Sequence, residues 1–386
     1  MTTEKILTRD FVLSFFAQFT FASVFFTLIP TIPIYLSRLG AKEAEIGFLI
    51  GISSVFSLVL RPLIGRALLR IPERSFMIAG ALLLTISSIA YLWAPPFWPF
   101  LIVRVLQGIS LAFFFTASFT LIGNISPEAR RGQSLSLFYM SLNIAFALAP
   151  SFGMWLINLF SFTVLFVVCT GLSLGSLLIT SNLRKMQGVP LEEPSEGQPF
   201  LAWEAVPPAI MALFSNTIWG SLTAFFPLYA LIQGVTNPGL FFAAYAIVLI
   251  FGRGFGGKIL DIYSRERVIL PCLVAPIISM TILAFSKTLP MFLLVAVIWG
   301  IGNTFLFPSL VAFALDRTGH LRGPAMGTFT AVADLGVGIG AVMMGLILNW
   351  TNYPTMFLCL ALVGLINLLY FHFFIKKKGG DRYANL

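Results

Sequence analysis

The sequence predicts an all-α membrane protein with twelve transmembrane helices in two pseudo-symmetric six-helix bundles. Three observations lead there. Of 386 residues, 58% are hydrophobic and 10% charged, with a mean hydropathy of +0.94, whereas a water-soluble domain carries roughly a quarter charged residues. The apolar residues gather in long runs, and about 20 such residues let a helix cross the hydrocarbon core. The second half of the chain also repeats features of the first. This composition argues against secreted, disordered, collagenous and cytosolic-enzyme classes.

Twelve spans are expected, at 11–36, 44–68, 75–94, 98–123, 133–158, 161–182, 206–232, 239–260, 268–286, 290–315, 323–348 and 354–375. The first is too long in its apolar stretch for a cleaved signal peptide, and no small-residue cleavage site follows it. Ala94-Pro95-Pro96 ends the third span, and Thr236-Asn237-Pro238-Gly239 separates the seventh and eighth. Asn349 to Pro354 separates the last two, with Trp350 and Tyr353 suited to a membrane interface. The longest polar stretch, Asn182 to Glu204, falls mid-chain and reads as a linker. The expected organisation is therefore a bundle at 1–182, a linker at 183–205, and a second bundle with a short tail at 206–386.

Charge sets the expected orientation. With both termini in the cytoplasm, twenty of the 24 Lys and Arg residues lie on that side. Arg38, Lys42 and Lys287 lie outside, and Arg104 lies within a span. Retained loops carry the positive charge, so the opposite orientation is disfavoured. The formal net charge of +9 does not indicate nucleic acid, because the cations form short clusters between apolar runs and no basic face. Cys169, Cys272 and Cys359 each fall inside a span, match no metal spacing, and read as small apolar packing residues.

Sliding the chain on itself by about 192 residues exposes the repeat. Arg61 to Leu69 falls on Arg253 to Asp261, and Gln107-Gly108-Ile109-Ser110 on Trp299-Gly300-Ile301-Gly302. With small shifts, Pro33-Ile34-Tyr35 falls on Pro227-Leu228-Tyr229, Arg131-Gly132 on Arg322-Gly323, and Asn143 on Asp334. Ala145, Ala147 and Ala149 fall on Gly336, Gly338 and Gly340.

Three further runs stand out: Gly65 to Arg74 between the second and third spans, Arg104-Val105-Leu106-Gln107-Gly108 in the fourth, and Ala149-Pro150-Ser151-Phe152-Gly153 in the fifth. With the repeat, they make the chain resemble the major facilitator superfamily over essentially its whole length, and in particular its proton-coupled drug and metabolite efflux antiporters. The resemblance implies the major facilitator fold, with a substrate site near the midplane between the halves. It also implies gradient-driven transport of a small organic molecule.

The family's loop motif is Gly-x-Leu-Ala-Asp-Arg-x-Gly-Arg-Arg. Here Leu69 stands where the Asp is usual, while the second-half copy from Gly257 keeps it as Asp261. By that resemblance Gly65 and Gly257 allow close helix approach, and Asp261 latches the cytoplasmic side against a helix N-terminus and nearby Arg residues. A solvated loop charge is the alternative for Asp261. Arg104 and Gln107 match the Arg-x-x-Gln-Gly motif of proton-coupled members. A charge inside a span is costly unless partnered, so Arg104 is a functional candidate, the alternative being a side chain that snorkels to the headgroups. Pro150 retains part of the antiporters' fifth-span motif and supplies a bending point. Gly336 and Gly340 form a Gly-x-x-x-Gly face, for packing or gating.

Asp334 is the carboxylate placed deepest in a span. There it could exchange a proton as a cavity opens to either side, or pair with a cationic substrate. The structural alternative is a salt bridge to Arg104 or hydrogen bonds to Asn and Thr. Gln18, Asn143, Asn216, Trp219, Tyr245 and Asn303 are polar or amphipathic cavity candidates, each also able to serve as an interhelical hydrogen bond or packing group. The 40 phenylalanines serve lipid-facing surface and packing, and suit an apolar cavity for aromatic or amphiphilic ligands.

Gly252 to Lys258 satisfies Gly-x-Gly-x-x-Gly but lacks a preceding strand, and Ile259 replaces the Ser or Thr of a P-loop. No metal, cofactor or nucleophile constellation is evident, and His320 and His372 are far apart in the chain. The expectation is a monomeric, proton-coupled exporter in the cytoplasmic membrane, with a small molecule, protons and lipid as its partners and no nucleic acid. A symporter or facilitator that imports is the alternative, and a non-transporting sensor a second one.

Overall fold

The computed structural model describes residues 7–68, 70–94, 97–127, 130–184, 202–262, 265–318 and 322–376. They form α1 (Arg9–Arg38), α2 (Glu43–Ala67), α3 (Glu73–Ala90), α4 (Trp98–Ile125), α5 (Arg131–Leu159) and α6 (Phe162–Ser181). After a single 3-10 turn at Trp203–Ala205 come α7 (Val206–Ile232), α8 (Gly239–Ile262), α9 (Arg265–Phe285), α10 (Leu289–Thr318), α11 (Arg322–Trp350) and α12 (Tyr353–Tyr370). A π-helical turn, Phe371–Lys376, closes the described part. Among the described residues no strand occurs, and eleven helices are long and apolar enough to cross a membrane. The described apolar part of α8, Gly239–Gly252, is shorter.

The helix ends follow from local chemistry. Thr8 accepts from the Phe11 amide at 3.2 Å, Ser161 from Val164 at 3.3 Å, and Asn352 from Thr355 at 3.0 Å, each covering a donor that the first helical turn leaves unpaired. At the start of α2, Glu45 reaches back to the Lys42 amide at 2.8 Å. Within the spans, hydroxyls bond carbonyls of the preceding turn, as Thr31 does to Thr27 and Ser221 to Thr217. That lets a polar side chain sit in an apolar surround without an unpaired hydrogen.

The helices form two compact units. The first holds 1–41 and 52–196, the second 42–51 and 197–386, so α2 contributes its first turns to the second unit. In the first unit α1 packs on α5 and α6, and α3 on α4 and α6. In the second, α7 packs on α11 and α12, and α9 on α10 and α12. Adding six to each label of the first set gives the second, which is the sequence repeat expressed as packing.

Glycine sets how closely these pairs approach. Cβ atoms at Gly336 and Gly340 would overlap the carbonyl oxygens of Leu213 and Thr217, and one at Gly220 that of Val337. The backbones of α7 and α11 are therefore in direct contact. A second face of α11 meets the start of α2. A Cβ at Gly47 would overlap the Ala341 carbonyl, one at Gly51 would stand 2.9 Å from that of Gly338, and one at Gly345 2.8 Å from that of Glu43. Such small-residue contacts replace the hydrophobic drive that lipid cannot supply.

Gly340→Ala forces this contact apart and should lower stability by about 1–3 kcal/mol, the usual range for overpacking. Gly171→Ala on α6, where among the described residues nothing lies within 4 Å of the new methyl, should cost nothing measurable. Thermal unfolding of the two purified variants compares them, and equal stability would contradict the packing described.

Candidate functional site

In the first unit, α2, α3 and α4 bring four polar side chains together. Arg104 is 6% exposed and Gln107 1%. One guanidinium nitrogen of Arg104, Nη1, donates to Gln107 Oε1, and Nη2 donates to Ser53 Oγ at 3.0 Å. The hydroxyl of Tyr91, which follows α3, donates to the same Gln107 oxygen at 2.7 Å. Gly108 permits the cluster, because a Cβ there would overlap the Ser53 carbonyl. Arg104 is thus folded inward and does not snorkel.

In the second unit, Asp334 lies half-buried on α11. Its neighbour Ala333 accepts a 2.8 Å hydrogen bond from the Asn216 side chain of α7. One turn along α7, half-buried Trp219 begins an aromatic stack. Its ring lies 5.7 Å from both Tyr245 of α8 and Trp299 of α10, nearly parallel to each, and those two rings are 4.4 Å apart. Trp299 and Tyr245 are themselves buried. Such geometry stabilises through both buried area and ring electrostatics.

The other candidates disperse. Gln18 on α1 is wholly buried and accepts from Ser118 of α4 at 2.6 Å, so it is an interhelical bond and not an exposed cavity group. Asn143 on α5 and Asn303 on α10 are half-buried. Pro150 is buried within α5 and cannot donate to the preceding turn. Beside it the Ala149 carbonyl accepts from Thr27 of α1 at 3.3 Å, and Gly153 seats against Thr27 and Thr31. Gly336 and Gly340 act in packing, as described. At Gly65, among the described residues, nothing lies within 4 Å of where its Cβ would be. Gly257 and Asp261 fall in the last turns of α8, whose side chains lie outside the described residues, as do Leu69, His320 and most of the expected linker. The glycine-rich run from Gly252 to Lys258 is continuous helix, not a phosphate-binding loop.

Cys169 and Cys272 are buried free thiols, Cys359 is a half-buried one, and among the described residues no His, Cys, Asp and Glu group could hold a metal. A cavity of about 300 Å³ between α1 and α5, lined by Phe11, Phe15, Phe16, Leu137 and Met140 among others, has only apolar walls.

Sequence reasoning missed Ser53, Tyr91 and Trp299. Tyr91 sits in a turn and carried no signal. The repeat did carry one for the others, since the same offset that puts Gln107 on Trp299 puts Ser53 on Tyr245.

Among the described residues, twelve α-helices in two repeated bundles, with a buried arginine in one and a half-buried acid in the other, define a polytopic membrane transporter class. Comparison with known proteins agrees. The sequence profile described as Major Facilitator Superfamily matches residues 14–261 and 235–385. The chain belongs to the Major Facilitator Superfamily and is a transporter of that family. It is similar to the staphylopine export protein of Staphylococcus aureus, with 25% identity covering 88% of this chain and 90% of that one. The quinolone resistance protein NorA of the same species is 20% identical, over 82% and 84%. In structure, a crystallised variant of the nucleoside transporter NupG matches with a TM-score of 0.80 at 13% identity, covering 94% of this chain and 99% of that one.

Gln18→Leu tests whether that residue serves the interhelical bond or transport. Ser118 keeps a second acceptor in the Phe115 carbonyl at 3.1 Å, and the substitution removes a buried amide nitrogen that has no partner among the described residues. The variant should therefore match or exceed wild-type stability and retain transport. A selective loss of transport at normal stability would restore Gln18 to the cavity.

Proposed function

We propose that the chain exports a small organic molecule across the cytoplasmic membrane in exchange for protons, by alternating access. Asp334 is the proton-exchanging group. The observation that carries this reading is a half-buried carboxylate in a membrane-spanning helix, a placement that is expensive and by default functional. Its helix is seated backbone-to-backbone on α7 through Gly336 and Gly340. A change of charge at Asp334 therefore acts on both helices. Both termini lie in the cytoplasm on this reading, following the distribution of Lys and Arg. Asp261 latches the cytoplasmic side, and Pro150 bends α5.

Two of the relatives bear names that describe export and drug resistance. That supports the outward direction over import. The ring stack headed by Trp219 supports a substrate with an aromatic or other apolar surface.

The test is reconstitution into liposomes with a pH dye in the lumen, using norfloxacin and staphylopine as probes. A probe gradient should drive proton movement in the opposite direction. Asp334→Asn should cut that proton flux by about tenfold or more, with a wild-type amount of protein in the membrane. Full flux in the variant overturns the role of Asp334. Probe movement in wild type without proton movement overturns proton coupling.

A further inference from the structure

We infer that Arg104 and Gln107, braced by Ser53 and Tyr91, form a subsite for a carboxylate group, so that the transported molecule carries one. The inference rests on the transport reading and names the chemistry of one part of its cargo.

The first argument is an unmatched donor. Gln107 Oε1 accepts from Tyr91 and from Arg104. Rotating the amide would turn its NH₂ toward the guanidinium, which can only donate, so the orientation is fixed. The amide nitrogen of Gln107 is then buried, and among the described residues it has no acceptor. Leaving a buried donor unmatched costs about 1–3 kcal/mol. The group that completes this cluster must therefore accept hydrogen bonds, and it lies beside a guanidinium. A carboxylate meets both conditions: it carries several lone pairs, and its planar pair of oxygens suits the arginine fork.

The second argument comes from the repeat. At the 192-residue offset, Ser53 corresponds to Tyr245, Arg104 to Ala296 and Gln107 to Trp299. In the second unit these positions make an aromatic contact, with Tyr245 and Trp299 rings 4.4 Å apart and Ala296 fully buried. The fold thus closes this crossing of helices without a charge. Burying an arginine at the matching place in the first unit costs several kcal/mol that packing does not require. Among the described residues the amide nitrogen of Gln18 is unmatched too, but its oxygen accepts from the Ser118 hydroxyl and not from a guanidinium, so nothing there calls for an anion.

The test reads binding without transport. The full-length protein in lipid nanodiscs is unfolded by heat in the presence of benzoate, or of benzamide as its uncharged counterpart, at constant ionic strength. A ligand that binds the native state raises the unfolding midpoint. Benzoate should raise it in a saturable way and benzamide should not. Arg104→Gln and Gln107→Glu should each raise the half-saturating benzoate concentration by about tenfold or more, the equivalent of one charged hydrogen bond. Gln107→Glu is the variant expected to fold well, because its carboxylate still accepts from Tyr91 and Arg104 and no longer leaves a donor unmatched. The subsite is overturned if benzoate has no effect on wild type, if benzamide matches it, if chloride reproduces the shift, or if Gln107→Glu leaves half-saturation unchanged. Loss of the subsite with proton flux still dependent on Asp334 leaves the transport reading intact. A benzoate response with flux indifferent to Asp334 does the reverse.

Discussion

Hydrocarbon offers a helix neither a hydrogen-bond partner nor a hydrophobic reason to pack. Everything in this structure answers those two absences. Backbone groups are satisfied by forming helices, and hydroxyls such as those of Thr31 and Ser221 by bonding carbonyls one turn back. Association then depends on how near two backbones can come, which explains why glycine lies at the tightest crossings. The contact of α7 with α11 is made by Gly220, Gly336 and Gly340, and that of α2 with α4 by Gly108. A methyl group at any of these would overlap a carbonyl oxygen.

The same constraint makes the repeat informative. The pairings among α1, α3, α4, α5 and α6 recur among α7, α9, α10, α11 and α12, so each half serves as a comparison for the other. Where they differ in chemistry at a matching place, packing alone does not account for the difference. The crossing of α2 and α4 holds a guanidinium, an amide and a hydroxyl, whereas that of α8 and α10 holds rings. Asn143 and Asp334 form another such pair, the acid being found only in the second half. At these matched positions the first half holds the guanidinium of Arg104 and the second the carboxylate of Asp334.

Much of the fold was legible because the membrane filters sequence so severely. The span expected at 206–232 coincides with α7, and that at 98–123 is extended by two residues in α4. Pairing was harder to read, because hydropathy reports the solvent around a helix and not its neighbour. Nothing in the apolar run of α2 marks its first turns for the second unit; only Gly47 and Gly51, seen against Ala341 and Gly338, explain it. The site was partly legible. Charge inside a span pointed to Arg104, and the motif to Gln107. Gln18 and Gln107 are the same residue type in the same solvent, and what separates them is a guanidinium in one place and a serine in the other. Tyr91 lies in a turn, where neither periodicity nor depth selects it.

On the proposed reading, Asp334 acquires its leverage from what surrounds its helix. One face of α11 is seated on α7 through Gly336 and Gly340, and another on the first turns of α2 through Gly338, Ala341 and Gly345. A helix held on two sides at backbone distance cannot relax by shifting a few side chains, because close-packed interiors transmit displacement. On the proposed reading, gain or loss of a proton at Asp334 must therefore move α11 as a rigid rod or not move it at all. The Asn216 bond to Ala333 fixes α7 to that rod at the level of the acid itself. On that reading the residue that senses charge and the contacts that would have to carry its effect lie on one helix, within about three turns of each other, and the glycines that make the packing tight are what make the coupling mechanical.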